Sequence, residues 1–309
     1  MNIILLEHDE IVANTVNLRD RRAEHIGRVL KSRPGDLLRA GIIDGPMGSA
    51  RVLATSRREV TLQLDCHQDP PTKAATALIL ALPRPIMLKR VLAQAAAMGV
   101  DRIMLTNARR VEKSFFNSSL LAPAGIRTAL LQGLEQAGDT RLPTVSVHTR
   151  FRPFIEDELP SPHPAGPLRL LAHPEKAPAE ATDSGPRRHT TNRQQNPPAG
   201  APPSGTAKAL VSGHKGPQVT AGETAMDDQG QISYLPPSAP AQSPLSQVPR
   251  DCLRDLAQRR LLAIGPEGGW VDFEINCFQD QGFIPFSWGA RILRVDTAVP
   301  VLLALAEAR

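Results

Sequence analysis

The chain has 309 residues, of which 41% are hydrophobic, and its net charge of +5 gives a pI near 9.4. This length allows two domains with separate cores, and the basic charge weakly favours an anionic partner such as nucleic acid. The composition excludes a membrane-spanning protein, because no apolar run approaches the ~18 residues that a span needs. The three cysteines are far apart, which argues against a disulfide framework or a zinc site, so we expect a cytoplasmic protein without a bound metal.

Residues 1–70 are predicted to form a small β-rich domain with one helix. Closely spaced short strands are typical of a compact barrel, and Asp44-Gly45 is a hairpin-type turn between two of them. The predicted strands cover residues 2–6, 37–43, 49–56 and 59–66, and the predicted helix covers 21–31.

The predicted helix has an apolar face and a basic face. Ile26, Val29 and Leu30 share one side at helical spacing. The basic side chains that point elsewhere are Arg22, His25 and Arg28.

Residues 73–309 are predicted to form a second domain, with the boundary in the proline-containing segment 68–72. Continuous apolar strands alternate with helices here, which predicts a mostly parallel sheet covered on both faces. The predicted strands cover residues 77–82, 102–106, 144–148, 168–172 and 261–264, and the helices cover 85–98 and 123–137.

The regular alternation stops between His173 and Arg250. Nearly half of the 29 prolines lie in this stretch, among many serine, glycine, alanine and glutamine residues. Such a composition buries too little apolar surface to offset the entropy lost on ordering. We therefore predict a disordered insertion at about 176–250, followed by a short helix at 252–258 that re-enters the second domain.

Two glycine-marked loops follow apolar runs near the C-terminus, at 265–269 (GPEGG) and 288–291 (WGAR). Glycine lets the backbone approach a ligand closely and adopt positive φ. Two such loops at neighbouring strand ends predict the floor of a site for a small polar cofactor. The structural alternative is a simple strand-to-helix turn in which Glu267 caps a helix.

Two tryptophans flank these loops in a chain with only 4% aromatic residues. Trp270 and Trp288 are therefore candidates to stack on a base or on adenine. The alternative is that these tryptophans pack in the core, which is the commoner role of tryptophan.

Five segments carry a resemblance to a known family: RRAEHIGRVLKSRPGD at 21–36, ALPRPIMLKRVLAQAAAMGVDRI at 81–103, LLQGLEQAGDTRLP at 130–143, GPEGGW at 265–270 and WGARILRVDTA at 288–298. Together they resemble the uracil-N3 methyltransferases of small-subunit ribosomal RNA, in the SPOUT superfamily of S-adenosylmethionine enzymes. GPEGG followed closely by G-x-RILR-x-D-TA is a specific pair. The resemblance does not cover the predicted insertion.

The resemblance implies an α/β protein in which a PUA-like, RNA-binding β-barrel precedes a SPOUT domain with a C-terminal trefoil knot. It also implies a homodimer, S-adenosylmethionine as cofactor, ribosomal RNA or the small ribosomal subunit as partner, and methylation at N3 of a uridine. Three loops would hold the cofactor. The implied cofactor residues are Leu171, His173, Ile264, Gly265, Pro266, Glu267, Gly268, Gly269, Trp288, Gly289, Ile292, Leu293 and Arg294.

Methylation at uracil N3 requires loss of the N3 proton or stabilisation of the anion. Glu267 and Asp296 are the candidate proton acceptors, and Arg294 is the candidate electrostatic partner for a uracil carbonyl or phosphate. In the structural alternative, Asp296 caps a final helix beginning at Thr297 and pairs with Arg294.

Basic residues on the predicted helix and at strand ends are candidate RNA contacts, although charged helix faces are commonly just solvated. Residues 135–139 (EQAGD) and 2–6 (NIILL) depart from the family pattern, so the family's early arginine contact is not carried over. The candidate RNA contacts are Arg22, His25, Arg28, Lys31, Arg84, Arg109, Arg110, Lys113 and Arg141.

Two other functions fit the same residues. One is a SPOUT methyltransferase with another target base or a ribose 2′-hydroxyl target, and the other is a catalytically idle RNA-binding assembly factor. A dinucleotide-dependent oxidoreductase is disfavoured, because the first strand-to-helix turn lacks the glycine fingerprint.

Overall fold

The protein contains two six-stranded sheets, as seen in a computed structural model that describes residues 1–56, 58–159, 166–173, 260–289 and 291–308. The predicted insertion and the short helix predicted at 252–258 lie outside the described residues. The predicted domain boundary falls in the connection between the two sheets, and the division into domains stays a prediction.

The first sheet is mixed and curled, and its strand order is β1-β4-β5-β6-β3-β2. Only β1 and β4 pair in parallel, and every other pair is antiparallel. Four strands match the sequence prediction, whereas two short ones were not predicted. Closure of this sheet into a barrel stays a prediction. The strands are β1 (Ile4–Leu6), β2 (Ile11–Val12), β3 (Thr15–Leu18), β4 (Leu37–Ile42), β5 (Met47–Thr55) and β6 (Val60–Gln68).

The predicted helix is present, but its apolar face is different. Helix α1 (Arg21–Glu24) continues as a π-helical turn (His25–Leu30), and Lys31 ends it with a left-handed φ of 53°. A π-turn is wider than an α-turn, so residues three and four apart no longer align. Ile26 is buried, whereas Val29 is 64% exposed, so the predicted shared face is wrong.

Arg22 is buried in the first sheet and is not exposed to an RNA, contrary to the prediction. Its guanidinium donates to the Leu5 carbonyl at 2.8 Å and to the Asp20 carboxylate at 2.9 Å, and it also pairs with Glu10. The guanidinium holds the pKa of the Glu10 carboxyl below its usual value. Arg22 therefore stabilises the fold, because a buried cation needs such partners.

The second sheet is parallel throughout, as predicted, with strand order β12-β10-β11-β7-β8-β9. Its strands are β7 (Thr76–Ala81), β8 (Arg102–Thr106), β9 (Thr144–His148), β10 (Leu168–Ala172), β11 (Arg260–Ile264) and β12 (Ile284–Phe286). Its helices are α2 (Pro85–Ala97), α3 (Pro123–Ala137), the single turn α4 (Phe151–Pro153), α5 (Asp272–Asp280) and α6 (Val295–Ala308). Among these helices, none is both long and apolar enough to cross a membrane.

Strand β12 lies on the far side of β10 from β11, so the chain crosses over β10 between β11 and β12. Helix α6 then packs against α2, β7 and β11. A knot would require α6 to pass through the connection between β10 and β11. Most of that connection lies outside the described residues, so the trefoil knot stays a prediction.

The two sheets share one packed face. The side chains of residues 3–6 point alternately to the two sides of the strand. Ile4 and Leu6 lie in the core of the first sheet, and Ile3 and Leu5 lie in the core of the second. At the edge of this contact, the buried Glu135 carboxylate of α3 accepts hydrogen bonds from both terminal nitrogens of Arg21.

We expect Glu135→Gln to lower the free energy of unfolding by about 1 kcal/mol, because it removes the charge that faces Arg21 while that side chain is half in solvent. Urea denaturation monitored by circular dichroism measures this loss. Glu24→Gln is the matched control, since Glu24 pairs with Arg28 on the exposed side of α1. An equal loss in both variants would show that Glu135 has no special role in joining the sheets.

Candidate cofactor cavity and adjoining basic surface

Three loops meet at one edge of the second sheet. Because β10, β11 and β12 are parallel, their carboxyl ends point to the same side, and the segments that follow them surround a cavity of about 200 Å³. The cavity is lined by 172–173, 264–270 and 286–289 and by residues leading into α6. The two glycine loops identified in the sequence therefore face one another across a single space.

Most of the predicted cofactor residues line this cavity. Leu171 and Arg294 are the exceptions: Leu171 is buried within β10, one residue before the first lining residue, and Arg294 is exposed just before α6. The predicted residues that line the cavity are His173, Ile264, Gly265, Pro266, Glu267, Gly268, Gly269, Trp288, Gly289, Ile292 and Leu293.

The glycines are required by the shape of these loops. A Cβ atom on Gly265 would lie 3.1 Å from the Trp270 indole nitrogen, and one on Gly268 would lie 2.8 Å from Cδ of Arg110. Gly269 and Gly289 have φ values of 73° and 137°, which residues with a side chain rarely adopt. Glycine at these positions therefore lets the loops pass close to Trp270 and Arg110 and adopt their turns while they line the cavity.

The two tryptophans have different environments. Trp270 is 4% exposed and packs edge-on against Phe278 of α5, with ring centroids 4.9 Å apart. Its indole N–H has no hydrogen-bond acceptor among the described residues, although a buried donor normally has one. Trp288 is 54% exposed and so is not a core residue. Trp270 is therefore a core residue whose buried indole N–H has no partner in the described part of the chain.

Part of the cavity wall was missed by the sequence analysis. Val295, Ala298 and Leu302 line it from one face of α6, and their helical spacing is the signal that would have identified them. Ser287 fixes the third loop, since its hydroxyl accepts a 2.9 Å hydrogen bond from the Gly289 N–H. Phe286 and Arg291 also contribute to the lining.

Of the three predicted catalytic residues, only Glu267 lines the cavity. Its carboxylate lies 3.6 Å from Nε of Arg84, and α5 begins five residues later, so the alternative of a simple helix cap is wrong. Asp296 lies in the first turn of α6, which starts at Val295, and its carboxylate is 3.7 Å from Arg90 instead of pairing with Arg294.

A family model described as an RNA methyltransferase domain matches residues 70–193 and 231–307. The chain belongs to this family. The match includes both glycine loops and every strand of the second sheet.

Individual relatives agree with that assignment. Ribosomal RNA small subunit methyltransferase E from Treponema pallidum is 38% identical over 157 residues, which is 50% of this chain and 59% of the relative. A second one, from Borreliella burgdorferi, is 26% identical over 148 residues, which is 48% of this chain and 61% of the relative. The chain thus spans about three fifths of the curated relatives it matches.

Solved structures share the fold of this chain at low sequence identity. The small-subunit methyltransferase E from Neisseria gonorrhoeae, bound to S-adenosyl methionine, has a TM-score of 0.58 at 16% identity, covering 100% of this chain and 97% of that one. A putative methyltransferase from Legionella pneumophila, also with bound cofactor, has a TM-score of 0.58 at 19% identity, covering 99% and 97%.

The predicted RNA contacts fall into two groups by their place in the fold. Arg84, Arg109, Arg110 and Lys113 follow β7 and β8, whose carboxyl ends lie at the cavity edge of the sheet. The others lie on the first sheet or between the sheets. Arg28 pairs with Glu24, Lys31 is exposed, His25 is half-buried, and the carbonyl of the half-buried Arg141 accepts from Lys73.

A buried carboxylate joins the basic loop after β8 to the glycine loop after β11. Glu274 of α5 is 2% exposed, and its two oxygens accept from the backbone N–H groups of Arg109 at 2.6 Å and Val271 at 2.9 Å. The guanidinium of Arg110 adds a second link, donating from Nη1 to the Gly268 carbonyl. Neither link could be predicted from the sequence, because each joins residues more than 150 positions apart.

Proposed function

We propose that the protein is an S-adenosylmethionine-dependent methyltransferase that acts on N3 of a uridine in small-subunit ribosomal RNA. The observation that carries the proposal is the cavity formed by three loops at the ends of β10, β11 and β12, two of them rich in glycine. The relatives support the choice of substrate and cofactor, since they are named as small-subunit methyltransferases and two solved ones hold that cofactor.

The cavity suits the proposed cofactor, which supplies an activated methyl group on a positively charged sulfur when bound. Gly265 and Gly268 present backbone groups without side chains, and Ile264 and Leu293 supply apolar walls for a flat base. The unpaired indole N–H of Trp270 is a donor for one of the cofactor's many acceptors.

We propose Glu267 as the group that accepts the uracil N3 proton. It is the predicted carboxylate that lines the cavity, and its side chain is 33% exposed, so it is accessible to a base entering from solvent. Nε of Arg84 lies 3.6 Å from this carboxylate and orients it. Arg294 lies outside the lining and is better placed to contact a phosphate than to touch the reacting atoms.

Arg84, Arg109, Arg110 and Lys113 form the proposed RNA surface, which we call the basic rim. Its position at the carboxyl ends of β7 and β8, on the cavity side of the sheet, supports a role in binding RNA phosphates. The target base lies in folded RNA, so it must leave its stack to reach the cavity. A homodimer, a PUA-like barrel, a trefoil knot and a cytoplasmic location complete the proposal.

Titration calorimetry with S-adenosylhomocysteine on the full chain, followed by mapping of methylated bases in small-subunit ribosomal RNA, tests the function. Saturable binding together with enzyme-dependent N3-methyluridine is the expected result. A methyl group on another base or on a ribose would replace the uracil-N3 target. RNA binding without any cofactor binding, even with RNA present, would instead favour an idle assembly factor.

A further inference from the structure

Arg110 contacts the glycine loop after β11, which an arginine that only binds an RNA phosphate would not have to do. Its aliphatic stem lies directly over Gly268, where even a Cβ atom would approach Cδ to 2.8 Å, and its Nη1 donates to the Gly268 carbonyl. Gly268 itself lines the cavity. The same peptide thus faces the cavity on one side and Arg110 on the other.

Most of the Arg110 guanidinium remains able to bind an anion. A guanidinium has five N–H donors in a planar fork, and among the described residues only the Gly268 carbonyl is bonded to this one. The residue is exposed and belongs to the basic rim, so an RNA phosphate can take the outer donors while Nη1 keeps the Gly268 carbonyl.

Glu274 keeps the geometry of this contact constant. Because its carboxylate binds the backbone of Arg109 and of Val271, the loop after β8 and the loop after β11 cannot move apart without losing a buried hydrogen bond. The remaining freedom lies in the Arg110 side chain and in the Gly268 peptide that it touches.

Resting on the proposed function, we propose that Arg110 is a positioning residue that couples RNA binding to cofactor binding. A phosphate held by Arg110 fixes its guanidinium over Gly268 and orders residues 265–269 before the cofactor enters. The cofactor then binds without paying the entropy cost of ordering this loop. By linkage, RNA and cofactor each tighten the binding of the other.

Equilibrium dialysis of labelled S-adenosylhomocysteine, with and without small-subunit ribosomal RNA transcribed in vitro, measures this coupling. The wild-type chain is expected to bind the ligand at least about 5-fold more tightly when saturated with RNA. In Arg110→Met this ratio is expected to fall to about one, and Arg110→Lys is expected to lower it, because one ammonium cannot hold a carbonyl and a phosphate in the same planar geometry.

Arg51→Met is the matched control. Arg51 is also an exposed arginine whose Nη1 donates to a glycine carbonyl, that of Gly35, but it lies on β5 outside the basic rim. The ratio is therefore expected to stay near the wild-type value. Thermal unfolding checks that each variant folds. A wild-type ratio of one, or equal loss in Arg51→Met and Arg110→Met, would overturn the coupling. No ligand binding by the wild type under either condition would overturn the proposed function itself.

Discussion

Gly268→Trp is expected to weaken S-adenosylhomocysteine binding by more than about 100-fold, equivalent to about 2.7 kcal/mol. The position lines the cavity, and an added Cβ would already lie 2.8 Å from Cδ of Arg110, so an indole must displace Arg110 and shift the backbone of residues 265–269 that forms the cavity wall. Titration calorimetry measures the affinity, and the thermal unfolding midpoint is expected to change little because the loop lies outside the packed core.

Gly27→Trp is the control for this substitution. Gly27 lies in the π-helical turn of the first sheet, where an added Cβ would approach nothing closer than the Ser56 carbonyl at 4.0 Å. Ligand affinity is expected to be unchanged there. Unchanged affinity in Gly268→Trp would remove this cavity as the cofactor site.

Glu267→Gln is expected to slow methyl transfer about 100-fold while leaving S-adenosylhomocysteine affinity nearly unchanged, since glutamine keeps the size of the side chain but cannot take up a proton. Single-turnover assays with saturating cofactor and RNA measure the chemical step without interference from product release.

Asp296→Asn provides the comparison for that variant. Asp296, in the first turn of α6, was the other candidate proton acceptor, but its carboxylate lies by Arg90 and does not line the cavity. We therefore expect Asp296→Asn to slow methyl transfer less than about 10-fold. If Asp296→Asn were the slower of the two, the proton acceptor would have to be reassigned to it.

The second sheet could be predicted from the sequence almost element by element. Strand β8 and helix α3 begin and end where the apolar pattern does, because Pro123 can occupy the first turn of α3 and Gly138, with φ of 78°, can end it. Local chemistry fixes such boundaries. The order of the strands is not local, since β10 pairs with both β11 and β12 only after the chain has crossed back.

The site could be predicted only in part, and the reason is again distance along the chain. The two glycine loops are visible in the sequence as glycine clusters after apolar runs, so most of the cavity-lining residues could be predicted. The link from Glu274 to the backbone of Arg109 spans 165 positions and depends on a backbone N–H, which has no residue-specific signature. Arg22 illustrates the opposite error. Its place on a predicted helix suggested an RNA contact, but in the fold its guanidinium is paired with Glu10 and Asp20.

The placement of the tryptophans makes the protein its own optical reporter. The chain has two tryptophans, and both line the cavity, one buried and one half in solvent. Excitation at the red edge of the aromatic absorption band therefore collects emission from this cavity alone. A ligand that fills the cavity should exclude water from Trp288 and shift its emission to shorter wavelength. Ligand binding can then be followed by stopped-flow fluorescence without a label.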